Sequence, residues 1–219
     1  MPLKKPFLVK INQKVCMSEK LKSLSIVLPC HNEENVILDS YSQLIAILTP
    51  LVGIRISCFE IIMVNNGSTD STIEEMLKIV STDENVFICD LRRNFGYQGS
   101  ITAGLHHATK DMVVTIDADL QDDPIKIVDM VEEHYKGFDL VLGVRSDRSS
   151  DSFFKRKFAN LYYSLVRTIN KEMVPHHGDF RLMSKELVAE FKLFKETNRY
   201  IRGIILNLES QYSIVEYTR

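Results

Sequence analysis

The sequence predicts a single α/β domain in which a mostly parallel, Rossmann-like sheet carries helices on both faces. Apolar runs rich in β-branched residues alternate along the chain with segments of helical period. These runs look apolar on both faces, as expected for strands that are covered from both sides. The chain has 219 residues, no internal repeat and no linker rich in glycine, serine or proline, which fits one domain.

Five strands, each followed by a helix, are predicted in the first part of the chain. The strands are short apolar runs at residues 24–29, 59–64, 86–91, 112–117 and 139–144. Apolar residues at helical spacing predict helices at 33–48, 72–80, 98–108, 124–135 and 153–169. Ser71 and Glu74 form a capping box at the start of the second helix, and Pro124 suits the first turn of the fourth. Beyond residue 169 a weaker pattern predicts strands at 180–183 and 213–218 and helices at 185–194 and 200–208.

The composition excludes several classes of protein. Hydrophobic residues make up 45% and charged residues 26%, which is ordinary for a soluble globular domain. No run of about 18 apolar residues is present, so we expect a soluble chain without a transmembrane helix. The four cysteines are scattered without a CxxC pair, which excludes a disulfide framework and fits a reducing compartment.

Charge is balanced over the whole chain but uneven along it. The net charge of −2 gives no indication of nucleic-acid binding. Residues 111–139 hold nine acidic residues and two lysines, whereas residues 152–171 hold five basic residues and no acidic one. Both segments fit solvated helix faces, and they equally fit a metal-binding patch beside a patch for an anionic partner or membrane surface. Residues 1–22, with six lysines, predict a basic arm or an extension before a start at Met17.

Polar, charged or glycine residues follow every predicted strand. In an open α/β sheet, ligands bind beyond the carboxyl ends of the strands. The pair Asp117 and Asp119 is the most informative, because two carboxylates on one side of an extended segment repel each other unless a cation binds them. Mg²⁺ or Mn²⁺ suits such a pair together with phosphate oxygens of a substrate, and Gln121 adds a neutral oxygen or orients a water molecule.

Several common motifs are absent from the sequence. It contains neither GxGxxG nor GxxxxGK[ST], which argues against dinucleotide-binding and P-loop proteins. It contains neither HExxH nor GxSxG, which argues against zinc hydrolases and acyl transfer. Asn66 and Gly67 follow the second predicted strand and fit either a simple turn or contacts to a nucleotide.

Six segments in this order and spacing resemble glycosyltransferase family 2, and among its members the polyprenyl-phosphate (bactoprenol) glycosyltransferases and dolichol-phosphate mannose synthase-like enzymes. They are LSIVLPCHNEENV, IIMVNNGSTDST, RRNFGYQGSITAGLHHA, VVTIDADLQDDP, VLGVRSDRSSDSFFKRKFAN and HHGDFRLMSKELV. The resemblance implies a GT-A fold over residues 23–219. It implies inverting, Mg²⁺- or Mn²⁺-dependent transfer of a sugar from a nucleotide-diphosphate donor, most often a UDP-sugar, to polyprenyl (undecaprenyl) phosphate. It places this reaction at the cytoplasmic face of the inner membrane, in cell-envelope polysaccharide synthesis, with no nucleic-acid partner and with homo-oligomers left open.

The resemblance also assigns site residues by position. The donor-binding positions are Pro29, Asn32, Glu33, Asn66, Ser68, Arg93, Asn94, Gly96 and Asp117. The metal positions are Asp117, Asp119 and Gln121. The acceptor-phosphate positions are Arg145, Arg148 and Arg181. Asp119 and Arg145 are the catalytic candidates, and Asp119 contacts the metal, the acceptor or both.

The chain departs from the family pattern in three places. Asn66 stands where a carboxylate usually accepts a hydrogen bond from uracil, so a CDP-sugar donor is an alternative to a UDP-sugar. His31 stands where an aromatic residue is usual. Such relatives normally continue into transmembrane helices, and we expect that this membrane anchor is absent from the present chain.

Two other functions are open at the level of sequence. A soluble family member could act on a saccharide or protein hydroxyl, which needs a general base near Asp122 or Asp147. A non-catalytic sugar-nucleotide-binding domain is the third hypothesis. The Asp117-x-Asp119 pair weighs against the third, and the arginines at 145, 148 and 181 favour the phosphate acceptor over the hydroxyl.

Overall fold

The computed structural model describes residues 21–146, 177–195 and 200–218. Within these ranges the chain forms seven strands and six α-helices. The strands are β1 (Leu24–Cys30), β2 (Phe59–Asn65), β3 (Val86–Asp90), β4 (Met112–Thr115), β5 (Leu140–Arg145), β6 (His177–Ser184) and β7 (Tyr212–Tyr217). The helices are α1 (Ile37–Leu48), α2 (Thr72–Val80), α3 (Tyr97–His107), α4 (Lys126–Tyr135), α5 (Lys185–Leu193) and α6 (Ile201–Leu208).

The strands form one sheet in the order β3-β2-β1-β4-β6-β5-β7. Strand β1 pairs in parallel with β2 and β4, β2 with β3, and β5 with β7. Strand β6 runs antiparallel to both of its neighbours, β4 and β5. The predicted α/β class with a mostly parallel sheet is confirmed. The apolar run that predicted β6 carries no information on strand direction, so the antiparallel strand could not be expected from it.

Alternate residues of the central strands pack into two separate hydrophobic cores, one on each face of the sheet. In β1, Ile26 and Leu28 face a core completed by α1, α2 and α4. Between them, Val27 faces the other core, to which α3, α5 and α6 contribute. Every residue of β1 and β2 is buried, which explains why both strands are mostly apolar on both faces.

The start of α1 and the cap of α2 differ from the sequence prediction, whereas α2 spans residues 72–80 as predicted. Residues 33–36 form a turn, and α1 begins at Ile37, whose N–H donates to the carbonyl of Glu33 at 3.0 Å. The predicted capping box is wrong, because the Ser71 side chain makes no capping hydrogen bond. Asp70 takes over that role and accepts hydrogen bonds from the N–H and the hydroxyl of Thr72. The next residue upstream in the chain is therefore the better cap.

The predicted helix at 153–169 and the basic segment 152–171 lie outside the described residues, as does nearly all of the basic arm. Across the part of the chain that the structure describes, no helix is both long enough and apolar enough to cross a membrane.

Gly104 sets how closely α3 packs on the sheet, which leads to a prediction about stability. A Cβ at this position would lie 2.2 Å from Cγ1 of Val27 and 3.1 Å from Cγ2 of Val64. We expect Gly104→Ala to lower the free energy of unfolding by about 1–3 kcal/mol, measured by urea denaturation, because α3 must move outward. Helix propensity alone would stabilise the variant by up to about 1 kcal/mol, so a more stable variant would contradict the close packing.

Candidate active site

A cleft of about 380 Å³ lies beyond the carboxyl ends of β1, β2 and β4. Its lining comes from the loops that follow these strands and from the start of α3. The lining residues are Pro29, Cys30, His31, Glu33, Asn66, Asn94, Gly96, Tyr97, Ser100, Asp117, Ala118 and Asp119. The structure thus brings together most of the donor and metal positions expected from the sequence. Asn32, Ser68, Arg93 and Gln121 do not line this cleft.

The loops after β1 and β2 are fastened to each other by side-chain and backbone hydrogen bonds. Asn32 has a positive φ of 59°, and its N–H donates to Oγ of Ser68 at 3.0 Å. Its own Oδ1 accepts from the N–H of Thr69 at 2.8 Å. The N–H of Glu33 donates to Oγ1 of Thr72 at 2.7 Å. Asn32 and Ser68 therefore hold the walls of the cleft in position, and Glu33 faces into it.

The loop after β3 is held on the same wall by two side-chain amides. Nδ2 of Asn66 donates to Oδ1 of Asn94 at 3.1 Å, and Oδ1 of Asn66 accepts from the N–H of Phe95 at 2.9 Å. Oδ1 of Asn94 also accepts from the N–H of Gly96 at 2.7 Å. Arg93 points along this loop, with its guanidinium carbon 4.9 Å from the centre of the Phe95 ring.

Asp117 and Asp119 lie in a turn rather than in an extended strand. Strand β4 ends at Thr115, and the N–H of Leu120 donates to the carbonyl of Asp117 at 3.1 Å. The expected extended geometry is wrong, but both carboxylates still line the cleft. The carboxylate of Asp119 accepts from the N–H of Gln121 at 3.2 Å, so the backbone of Gln121 orients Asp119.

The cleft crowds several carboxylates together. Burial raises the pKa of Asp117, and Asp122, Asp119 and Asp179 add to the rise, although a hydrogen bond from the Tyr97 hydroxyl opposes it. Burial also raises the pKa of Glu33, with further contributions from Asp119, Asp70 and Asp117. A site that disfavours its own negative charges in this way is suited to a cation.

The carboxylates fit a divalent metal that is bound in part by substrate. Among residues 21–146, 177–195 and 200–218, no three His, Cys, Asp or Glu side chains form a group that could hold a metal by themselves. Mg²⁺ and the similar Mn²⁺ need only one or two carboxylates when substrate phosphates supply further oxygens. Asp117 and Asp119 provide such a pair at the cleft.

Arginines and carboxylates are paired next to the acidic turn. Arg145, at the end of β5, donates to Oδ1 of the buried Asp122 through Nη2 at 2.7 Å and through Nε at 3.2 Å. Arg181 in β6 is fully buried, pairs with Asp179, and donates to the carbonyl of Gly178 at 3.3 Å. The structure therefore gives the two arginines different surroundings. Arg148 lies outside the described residues.

Two residues near the site were not predicted from the sequence. Arg202, in the first turn of α6, donates from Nη2 to Oδ2 of Asp179 at 2.7 Å. Tyr97, at the start of α3, donates to Asp117. Arg202 is the one basic residue in a mostly apolar helix, and Tyr97 is marked only by the glycine before it, so neither carried a distinctive signal.

Residues 25–191 match the family model described as glycosyl transferase family 2. The chain belongs to this family. It is 38% identical over 196 residues to an uncharacterized glycosyltransferase, YkcC, of Bacillus subtilis, covering 89% of this chain and 59% of that protein. It is 38% identical over 198 residues to a bactoprenol glucosyl transferase of Shigella phage SfX, covering 90% of this chain and 63% of that protein. The chain thus spans about three fifths of the length of these relatives.

Solved structures of glycosyltransferases share the fold. Glucosyl-3-phosphoglycerate synthase from Mycobacterium tuberculosis, in complex with Mn²⁺, UDP and phosphoglyceric acid, aligns with a TM-score of 0.62 at 21% identity, covering 89% of this chain and 68% of that one. TarS of S. aureus, in complex with UDP-GlcNAc, aligns with a TM-score of 0.57 at 16% identity, covering 90% and 58%. The expected GT-A fold is confirmed, and the family to which the chain belongs is one of glycosyltransferases.

Because the carboxylates are crowded, we expect that neutralising one of them stabilises the ligand-free protein. Asp117→Asn removes a charge that the folded state disfavours, while its amide oxygen still accepts from Tyr97. Because the pKa of Asp117 is raised in the folded state, its ionised carboxylate lowers the stability of the wild type at pH 7. This loss of stability disappears as the pH falls and Asp117 becomes protonated in both the folded and the unfolded state. We expect the melting temperature of the ligand-free variant to exceed that of the wild type by about 2–4 °C at pH 7, with a smaller difference at acidic pH.

Asp83→Asn is the control, for which we expect a change of melting temperature in the opposite direction. Burial opposes the shift, but hydrogen bonds from Asn85 and Tyr41 lower the pKa of Asp83, so its carboxylate stabilises the fold. This variant should melt below the wild type at pH 7. If Asp117→Asn also melted below the wild type at pH 7, the claim that the Asp117 carboxylate destabilises the ligand-free protein would be wrong.

Proposed function

We propose that this protein transfers a sugar, with inversion, from a nucleotide-diphosphate donor to polyprenyl phosphate. The observation that carries the proposal is that Arg145 lies next to the acidic cleft and is fixed there by a carboxylate. Asp122 raises the pKa of Asp117 from one side and pairs with Arg145 on the other. A metal-binding turn and a cationic group are thereby adjacent, as a reaction between two anions requires. The names of relatives such as the bactoprenol glucosyl transferase of Shigella phage SfX support the same acceptor.

The donor is expected in the cleft, with its diphosphate at Asp117 and Asp119. A bound Mg²⁺ or Mn²⁺ would neutralise the diphosphate and assist its departure. The Tyr97 hydroxyl holds Asp117 in place, and the N–H of Gln121 holds Asp119. The loops that carry Glu33 and Asn66 form the wall against which the nucleoside would lie. The solved structures with UDP and UDP-GlcNAc support a uridine donor, and a CDP-sugar is the alternative.

The acceptor phosphate is expected on the side of Arg145. A phosphate monoester is anionic at neutral pH, so it attacks the anomeric carbon without a general base. The residues must instead orient it in line with the leaving diphosphate, and a guanidinium does so through two parallel hydrogen bonds. Asp122 engages Nε and Nη2 of Arg145, but 40% of the arginine side chain is exposed, so the rest of the guanidinium can meet an incoming phosphate. A lipid-linked phosphate would bring the reaction to a membrane surface, and the family resemblance favours the cytoplasmic face.

A hydroxyl acceptor has less support from the described residues. It needs a general base, and Asp122 was one candidate. The carboxylate of Asp122 is buried and engaged by Arg145 through two hydrogen bonds, so it is poorly placed to accept a substrate proton. The other candidate, Asp147, lies outside the described residues.

The two ends of the reaction can be tested separately in a transfer assay with radiolabelled sugar nucleotide and undecaprenyl phosphate. Asp119→Ala should lower kcat/KM by at least about 100-fold, because charge on the leaving diphosphate is no longer balanced. Arg145→Ala should raise the KM for the acceptor by about tenfold or more and leave the KM for the donor nearly unchanged.

Arg55→Ala serves as the matched arginine control, since Arg55 is exposed and pairs with Glu132 at 3.0 Å, outside the cleft. Arg145→Lys keeps the charge without the paired hydrogen bonds, and thermal unfolding reports whether each variant is folded. Unchanged transfer by both Asp119→Ala and Arg145→Ala would refute this assignment of the site.

Metal dependence gives a further prediction. Transfer should fall to background after treatment with EDTA and return on addition of Mn²⁺ or Mg²⁺, because the crowded carboxylates cannot bind a diphosphate without a cation. UDP binding, measured by calorimetry, should show the same dependence in the absence of acceptor. Full transfer in excess EDTA would exclude a metal at Asp117 and Asp119.

A further inference from the structure

Asn66 lies in the wall of the cleft, yet its polar atoms are used within the protein. Only 4% of the residue is exposed. Its N–H donates to the carbonyl of Cys30 at 2.8 Å, which fixes its backbone to the end of β1. Its side chain binds Asn94 through Nδ2 and the N–H of Phe95 through Oδ1. The amide therefore offers little surface that a nucleotide base could contact.

Two backbone donors determine the orientation of both amides. The N–H of Phe95 can donate only to an oxygen, so Asn66 must present Oδ1 to it and Nδ2 to Asn94. The N–H of Gly96 likewise requires Oδ1 of Asn94, at 2.7 Å. One oxygen of Asn94 thus accepts from Gly96 and from Asn66 together. The arrangement is consistent in one orientation and loses a hydrogen bond in any other.

The backbone of the third loop rests directly on the residue after Asn66. Gly67 has a φ of +64°, and a Cβ there would lie 2.4 Å from the carbonyl carbon of Arg93 and 2.5 Å from the nitrogen of Asn94. The loop therefore approaches as closely as a glycine allows. The Asn66–Asn94 pair is the polar clamp that keeps residues 94–96 in this position.

We propose that Asn66 is a positioning residue, which holds loop 94–96 on the donor cleft and does not select between uridine and cytidine. The proposal rests on the proposed function, because it concerns how the donor is bound. Substituting Asn66 should then weaken binding of UDP and CDP by the same factor. A residue that reads the base would instead change the ratio of the two affinities.

Two variants with the same change of charge separate these roles. Asn94→Asp keeps an oxygen that accepts from both Gly96 and Asn66, so the clamp remains. Asn66→Asp keeps the bond from Phe95 but sets a carboxylate oxygen against the oxygen of Asn94. If Asn94 turns its amide to relieve this contact, the N–H of Gly96 loses its acceptor. Each variant adds one negative charge to the same loop junction, so their difference reports the hydrogen bonds.

The first measurement is amide hydrogen exchange of Phe95 and Gly96 without ligand. We expect exchange at Gly96 to be about five- to tenfold faster in Asn66→Asp than in Asn94→Asp, the factor expected for one lost hydrogen bond. Phe95 keeps its acceptor in both variants, so its exchange should differ little between them. The second is calorimetry with UDP and with CDP in the presence of Mn²⁺. Asn66→Asp should bind both about five- to tenfold more weakly than Asn94→Asp does, with the UDP-to-CDP ratio unchanged from the wild type.

Asn66→Ala provides a second test in case Asn66→Asp does not fold, since it removes both side-chain bonds without adding charge. It too should leave the UDP-to-CDP ratio unchanged and accelerate exchange at Phe95. A tenfold or larger change of the ratio, or exchange as slow as in the wild type, would overturn the proposal. If the wild type bound neither nucleotide, the proposed function would fail, and the exchange measurement would still decide whether Asn66 holds the loop.

Discussion

The site depends on an unequal pairing of β1 with its two parallel neighbours. With β2, β1 remains paired to its last residue, Cys30, which lies opposite Asn65. With β4, pairing ends three residues earlier, where Val27 lies opposite Thr115. The chain leaves β4 at this point and turns, so that Asp117 and Asp119 lie beside the part of β1 that β4 no longer covers. A longer β4 would extend the sheet and fill the cleft with backbone.

This arrangement explains which parts of the molecule the sequence could predict. The apolar runs of β1 and β2 are buried on both faces, and hydrophobic patterning reports burial directly. The position of Asp117 after an apolar run was enough to bring it to the cleft, even though the local geometry is a turn. The end of β4 was predicted less well, because the apolar run continues past the last paired residue. The cap of α2 was also missed, because Asp70 and Ser71 are both good caps and tertiary hydrogen bonds decide between them.

The surroundings of the arginines could not be predicted, because they depend on contacts between distant segments. Asp179 accepts from Arg181, two residues away in β6, and from Arg202 in helix α6. A motif shows that an arginine is present, but it does not show whether a carboxylate from elsewhere already neutralises it. The same holds for Asn66, whose partners in loop 94–96 follow it in sequence by 28 residues or more.

Burial separates the three described arginines near the site by what they can do. The side chains of Arg145 and Arg202 are 40% and 38% exposed, whereas that of Arg181 is 2% exposed. The carboxylates of Asp122 and Asp179 are themselves only 4% exposed, so stripping either of its arginine would be costly. An incoming phosphate can instead bind the exposed part of a guanidinium that stays paired with its carboxylate. An anion that enters from solvent therefore meets Arg145 or Arg202 directly. Arg181 is enclosed and fixes the Asp179 carboxylate, which Arg202 shares.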